Sequence, residues 1–140
     1  MSNKLEPPER AKQIAQTLLP LFHAQRLLIV DFSLDDRSGR PNAKALGYLF
    51  GFTDSALQTA GLDIRNAEGH ATFLNILHGL APGKAGEYIT FLQQSMTTDT
   101  SIMNGMMLGG GEYRNWYNSK GATMPLGWRR CFSPAADVAF

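Results

Sequence analysis

A chain of 140 residues with 44% apolar and 18% charged side chains is long enough for one domain and apolar enough to bury a core without staples. A formal net charge of +1 argues against a general nucleic-acid binder, and a single cysteine, Cys131, excludes an intramolecular disulfide and a multi-cysteine metal site. The opening MSNKLEPPERAK has no apolar signal core, so a cytoplasmic protein is expected.

Residues 1–6 read as a flexible tail. Pro7, Pro8 and Glu9 then suit a helix start, because proline is tolerated in the first turn and an acid complements the positive end of the dipole. Ala11, Ile14, Ala15, Leu18, Leu19 and Phe22 follow helical spacing and predict a strong amphipathic helix. Pro20 removes a hydrogen bond inside it, which predicts a kink or break near Leu19.

Leu27–Leu34, LLIVDFSL, has a short apolar run and then alternation. A strand here needs a partner for its backbone, and Leu126–Phe132 is the one other candidate. The alternative, slightly favoured, is that 21–32 continues the first helix. Asp31, Asp35 and Asp36 read as a solvated turn.

The central stretch predicts a helix over 43–61. Pro41 fixes the entry, Asn42 is a good N-cap, and Gly61 suits the position after the last turn. Leu46, Leu49, Phe50, Leu57 and Ala60 are helically spaced, while Tyr48 and Phe52 point elsewhere, so the helix is apolar most of the way round. Ala43, Gly47, Gly51, Ser55 and Thr59 form a stripe of small residues. A glycine inside a helix costs roughly 1 kcal/mol against alanine, so a close backbone contact should offset it. Gly105 and Gly109 repeat the spacing and are the expected counterpart. The same spacing marks membrane dimers, but Asp54 and Gln58 interrupt an apolar run far short of the about twenty residues that span a bilayer.

Asn66, with Glu68 in the first turn, predicts the start of a third helix whose face is His70, Phe73, Leu74, Leu77 and Leu80. Ala81-Pro82-Gly83 is a turn. A fourth helix carries Ala85, Tyr88, Ile89, Leu92 and Met96 on one side. Residues 97–101 connect to a helix beginning at Ile102, which the run Gly109-Gly110-Gly111 could break. Glu112–Ser119 would then form a second short helix. The segment 121–140 reads as extended coil on the surface. The expected fold is all-α: one domain of four to six helices around the glycine-containing helix 43–61, with at most one short strand pair and an irregular C-terminal segment.

Catalytic signatures are lacking. No G-x-S-x-G is present, no acid or histidine is patterned around Cys131, and the triple glycine lacks the spacing of a phosphate loop. His70 and His78 are eight residues apart, roughly 80° around a helix, unlike the paired spacing of a helical metal site. His70 reads as a hydrogen-bonded core histidine. No motif requires a cofactor or a metal, and none is expected. Asp54, on a helix expected to be buried, is a candidate buried functional acid, since a buried carboxylate must be paired.

The candidate binding residues are Tyr113, Arg114, Trp116 and Tyr117, with Arg129 and Arg130 converging on them. Tyr, Trp and Arg are the types enriched at binding hot spots. The competing reading is that these aromatics are the core face of a short helix. The function expected is therefore a non-catalytic protein-binding module, with a protein partner or a second copy of the chain, and without nucleic acid or membrane. The alternative is a small-molecule binder or enzyme with a pocket between helix 43–61 and the 105–117 region.

Overall fold

The structure, a computed structural model, describes residues 7–132. Five α-helices follow in order: α1 (Pro7–Arg26), α2 (Ala43–Thr59), α3 (Ala67–Leu80), α4 (Ala85–Ser95) and α5 (Thr100–Asn118). A short 3₁₀ helix (Gly127–Cys131) comes last. The fold is all-helical, with no strand among the described residues.

Helix α1 buries Ala11, Ala15, Leu18 and Phe22 on one face, as its spacing predicts. It is not broken at Pro20. Pro20 lies on the exposed side, and the carbonyl it deprives of a bond belongs to exposed Gln16, where water can serve instead. The helix stops at Arg26, so it does not continue through 32. Leu27, Leu28 and Ile29 form hydrogen-bonded turns on the end of α1, and Asp31 adopts a positive φ of 52°.

The other reading, a strand at 27–34, is likewise replaced by turns. One isolated antiparallel bridge joins Asp35 to Pro41. It closes a tight loop in which the Asp36 carboxylate accepts from the backbone of Ser38 (2.8 Å) and Arg40 (3.1 Å), with Gly39 at φ 86°.

Helix α2 starts where expected. The Asn42 side chain accepts from the Ala45 backbone at 3.1 Å, and Gly61 takes a φ of 76° just past the helix. Asn66 stands at the N-cap of α3 without making a side-chain cap bond. Asp99, in the polar connection 97–101, caps α5, accepting from Ser101 (2.8 Å) and Ile102 (3.2 Å).

The defining contact is between α2 and α5. A Cβ built on Gly47 would come closer than 3.0 Å to the Ile102 carbonyl oxygen, and one on Gly51 to that of Met106. From the other side, a Cβ on Gly105 would overlap Lys44, and one on Gly109 would overlap Tyr48. Gly47 faces Ile102, Gly51 faces Met106, and Ser55 faces Gly110, so contact advances along both helices together. They run parallel, with backbone against backbone.

This explains why the triple glycine does not break α5. Gly109 and Gly110 are buried against α2, and the interhelix contact offsets the conformational cost of glycine. In the same way α1 and α3 run side by side. Thr72 Oγ1 donates to the Ala11 carbonyl at 3.4 Å, and Gly79 sits under the Leu19 side chain.

The core differs from expectation at the C-terminal side. Trp128 is fully buried, not part of a surface coil. Its ring lies 5.6 Å from Phe22, 5.4 Å from Phe32 and 6.2 Å from Tyr48, and its Nε1 donates to the Ala45 carbonyl at 3.2 Å. The expected tail 1–6, and the part of the expected coil from 133 onward, lie outside the described residues.

Candidate functional site

The six candidate binding residues separate into two places. Parallel packing puts the N-terminal ends of α2 and α5 at one end of the pair. Arg129 and Arg130 belong to that end, lining a basin with Ala43, Lys44, Ser101 and Asn104. Tyr113, Arg114, Trp116 and Tyr117 lie about ten residues further along α5, roughly 15 Å of helix away.

Within the second group, the side chains divide again. Tyr113 is buried, with its ring edge-on to Phe52 at 5.4 Å, so it belongs to the core. Burial raises its hydroxyl above the ordinary tyrosine value. Trp116 is half-buried against the core, 5.9 Å from Tyr113. Tyr117 stacks on Tyr113 at 5.8 Å with half of its surface exposed. Arg114 is exposed and donates to Ser55 Oγ at 3.4 Å.

Two methionines join the exposed pair. Met103 and Met107 project from the outer side of α5 on the same stripe as Arg114 and Tyr117, and Met107 is 75% exposed. Gly111 lies on this stripe between them with no close neighbour. The sequence reading assigned Met103 and Met107 only to a helix. The available signal was the residue count around α5: once the glycines take the α2 side, the methionines must face elsewhere.

Asp54 is half-buried rather than buried, and its carboxylate accepts from Gln58 Nε2 at 3.0 Å on the same helix. His70, expected in the core, is exposed, because Gly69 takes the inward position against the Asp63–Ile64 backbone. His78 is also exposed, and Cys131 is buried. Among the described residues, no three His, Cys, Asp or Glu side chains group to hold a metal ion.

The best-organised polar group was missed from sequence. Gln25 Nε2 donates to the Tyr48 hydroxyl at 3.1 Å, and that hydroxyl donates to Glu112 Oε1 at 2.5 Å. Glu112 also accepts from the Gly127 backbone at 2.9 Å, and Gln25 Oε1 accepts from the Trp128 backbone at 3.0 Å. Burial, and then the bond to Glu112, push the Tyr48 hydroxyl far above its ordinary value. Such a tyrosine holds its proton and ties four elements together. The signal was Tyr48 itself, since a buried tyrosine needs a polar partner.

A second tie fixes the loop before α2. Asp35, expected in a solvated turn, accepts from Tyr88 Oη at 3.0 Å and pairs with Lys84. Burial and then the Asp35 bond raise the Tyr88 hydroxyl as well. Both clusters use their polar atoms in bonds between elements.

Along Gly47, Gly51, Gly105 and Gly109 the two helices leave no space between them. The glycine contacts bring the two backbones directly together there. Among the described residues, no helix is long and apolar enough to cross a membrane. Comparison with protein-family models, curated proteins and solved structures finds no match for this chain.

Proposed function

We propose that this chain is a non-catalytic protein-binding module, an adaptor, regulator or inhibitor, that docks through the outer face of α5. The observation that supports the reading is the stripe of Met103, Met107, Arg114 and Tyr117 on that face. The adjoining face of α5 is clamped to α2 by direct backbone contact, and Arg114 itself reaches Ser55 of α2, so the stripe is a rigid ridge beside that contact. A rigid helix face loses little entropy on docking. Methionine adapts to varied partner surfaces, and Tyr and Arg supply area and forked hydrogen bonds. A partner groove accepting a helix fits this shape.

The same reading puts the module in the cytoplasm, on composition: a single cysteine fits a compartment where disulfides are rare. The partner is another protein, with a second copy of this chain as the competing occupant.

The test is affinity capture from the native cell with the wild-type chain and with Met107→Glu and Tyr117→Ala. Met107→Glu should melt like wild type, because Met107 is exposed, and Tyr117→Ala should lose only the stacking on Tyr113 and stay folded. A partner captured by wild type and lost by both variants supports the ridge. Retention of every partner by both variants overturns it. A concentration-dependent dimer in sedimentation that Met107→Glu abolishes identifies the second copy as the occupant.

A further inference from the structure

We propose that the basin at the N-terminal ends of α2 and α5 binds an acidic peptide segment of a partner protein, with aliphatic side chains spaced among its carboxylates. This surface is separate from the α5 ridge, because Met107, Arg114 and Tyr117 do not line it. The two proposals stand or fall independently.

The basin is an open concavity of about 1250 Å³. Arg37 enters it from the loop before α2, and Arg129 and Arg130 from the 3₁₀ helix. All three are exposed, and among the described residues none makes a side-chain hydrogen bond or ion pair. Four acids line the same basin, exposed Asp31 and three that are held in place, Asp35, Asp36 and Asp99. Asp35 is held by Lys84 and Tyr88. Asp36 accepts from Ser38 and the Arg40 backbone. Asp99 caps α5. Five cations, Arg37, Arg40, Lys44, Arg129 and Arg130, line the basin against these four acids, one of which Lys84 neutralises, so the basin is net positive although the whole chain carries only +1.

Two elements thus bring three guanidinium groups to one concavity. A guanidinium presents a planar fork that matches a carboxylate with two parallel hydrogen bonds. Beside these forks, Val30 is 87% exposed and Leu28 is 49% exposed, and both line the basin. Aliphatic surface next to guanidinium groups fits a peptide that alternates apolar and acidic side chains. A phosphate polymer has no use for the aliphatic part, and a concave surface does not lie flat on a bilayer.

The test selects a phage-displayed library of random peptides against the full chain. Selected peptides are then measured for binding to wild type, to Arg37→Glu and to the double variant Arg129→Glu/Arg130→Glu. Enriched peptides should be acidic with interspersed Leu, Ile or Val. Their affinity should drop by roughly tenfold or more in each variant, the scale of a lost charge-assisted bond, and should weaken with added salt. Circular dichroism checks that the variants fold, and Arg37→Glu, in an exposed loop, keeps the test available if the double variant does not. Failure to enrich acidic peptides, or acidic peptides that bind all variants equally, overturns the proposal. Single-stranded DNA or phosphatidylserine vesicles binding more tightly than the selected peptides, through the same arginines, overturns it in favour of that ligand.

Discussion

The Tyr48 hydroxyl, buried in α2, donates to the Glu112 carboxylate of α5 at 2.5 Å, directly across the parallel helix pair. The same carboxylate receives the Gly127 backbone, so one acid links the pair to the 3₁₀ helix that carries Trp128. Tyr48→Phe should leave Gln25 Nε2 without its acceptor and cost roughly 1–2 kcal/mol, measured by urea unfolding near neutral pH.

The same bond gives an alkaline pH dependence. Tyr48 keeps its proton in the fold, whereas a tyrosine in the unfolded chain ionises at about pH 10. Above that pH the unfolded state sheds protons first, so it binds fewer than the native state. Stability present at neutral pH should therefore fall as pH rises above about 10. Tyr88, raised by burial and by its bond to Asp35, adds in the same direction. Urea titrations at neutral pH and at about pH 11 should show the decline, and Tyr48→Phe should make it shallower. Equal stability at both pH values in the wild-type chain would contradict the assignment.

Glycine substitutions should differ in sign along α5 and α2. At Gly51 even a methyl group meets the Met106 backbone, which cannot rotate away as a side chain would. Gly51→Ala should cost on the order of 1–3 kcal/mol, and Gly51→Leu more. At Gly111 the space is open, so Gly111→Ala should stabilise by about 1 kcal/mol through helix propensity alone. Paired thermal melts decide it, and a stabilised Gly51→Ala would contradict the close contact.

Those two glycines also show what could be read from the sequence. The small-residue stripe of 43–61 and the matching spacing at 105 and 109 pointed to the α2–α5 contact before any coordinates. Asn42, Gly61 and the apolar spacing set the ends of α2 in the same way. The triple glycine was ambiguous because local propensity favours a break, and only the neighbouring helix reverses that preference. Trp128 was illegible for a related reason. Its surroundings, rich in proline and glycine, resemble a surface coil, and its burial depends on Phe22, Phe32 and Tyr48 arriving from three other segments. Convergence of Arg129 and Arg130 on Tyr117 failed because parallel packing sends them to opposite ends of the helix pair.

Asp54 should prove dispensable for folding. Its carboxylate meets a neutral amide on its own helix at half-buried depth, so no buried charge is stranded when it is removed. Asp54→Ala should change stability by no more than about 0.5 kcal/mol in a thermal melt. A loss several times larger would restore the buried, paired acid that the sequence suggested.

The two tryptophans should separate core from edge. Trp128 has no exposed surface, is ringed by aromatic side chains, and spends its indole N–H on the Ala45 carbonyl. Trp128→Ala leaves a cavity and an unpaired carbonyl, and should cost roughly 3–5 kcal/mol. Trp116 is half-buried at the end of α5, where its surroundings can relax toward solvent. Trp116→Ala should therefore cost clearly less than Trp128→Ala in the same urea titration. If Trp116 supports the ridge only by buttressing Tyr113 and Tyr117, partner capture should weaken without vanishing in the folded variant. Trp116→Ala as costly as Trp128→Ala would make Trp116 a full core residue and leave Arg114 and Tyr117 as the only part of the aromatic cluster available for binding.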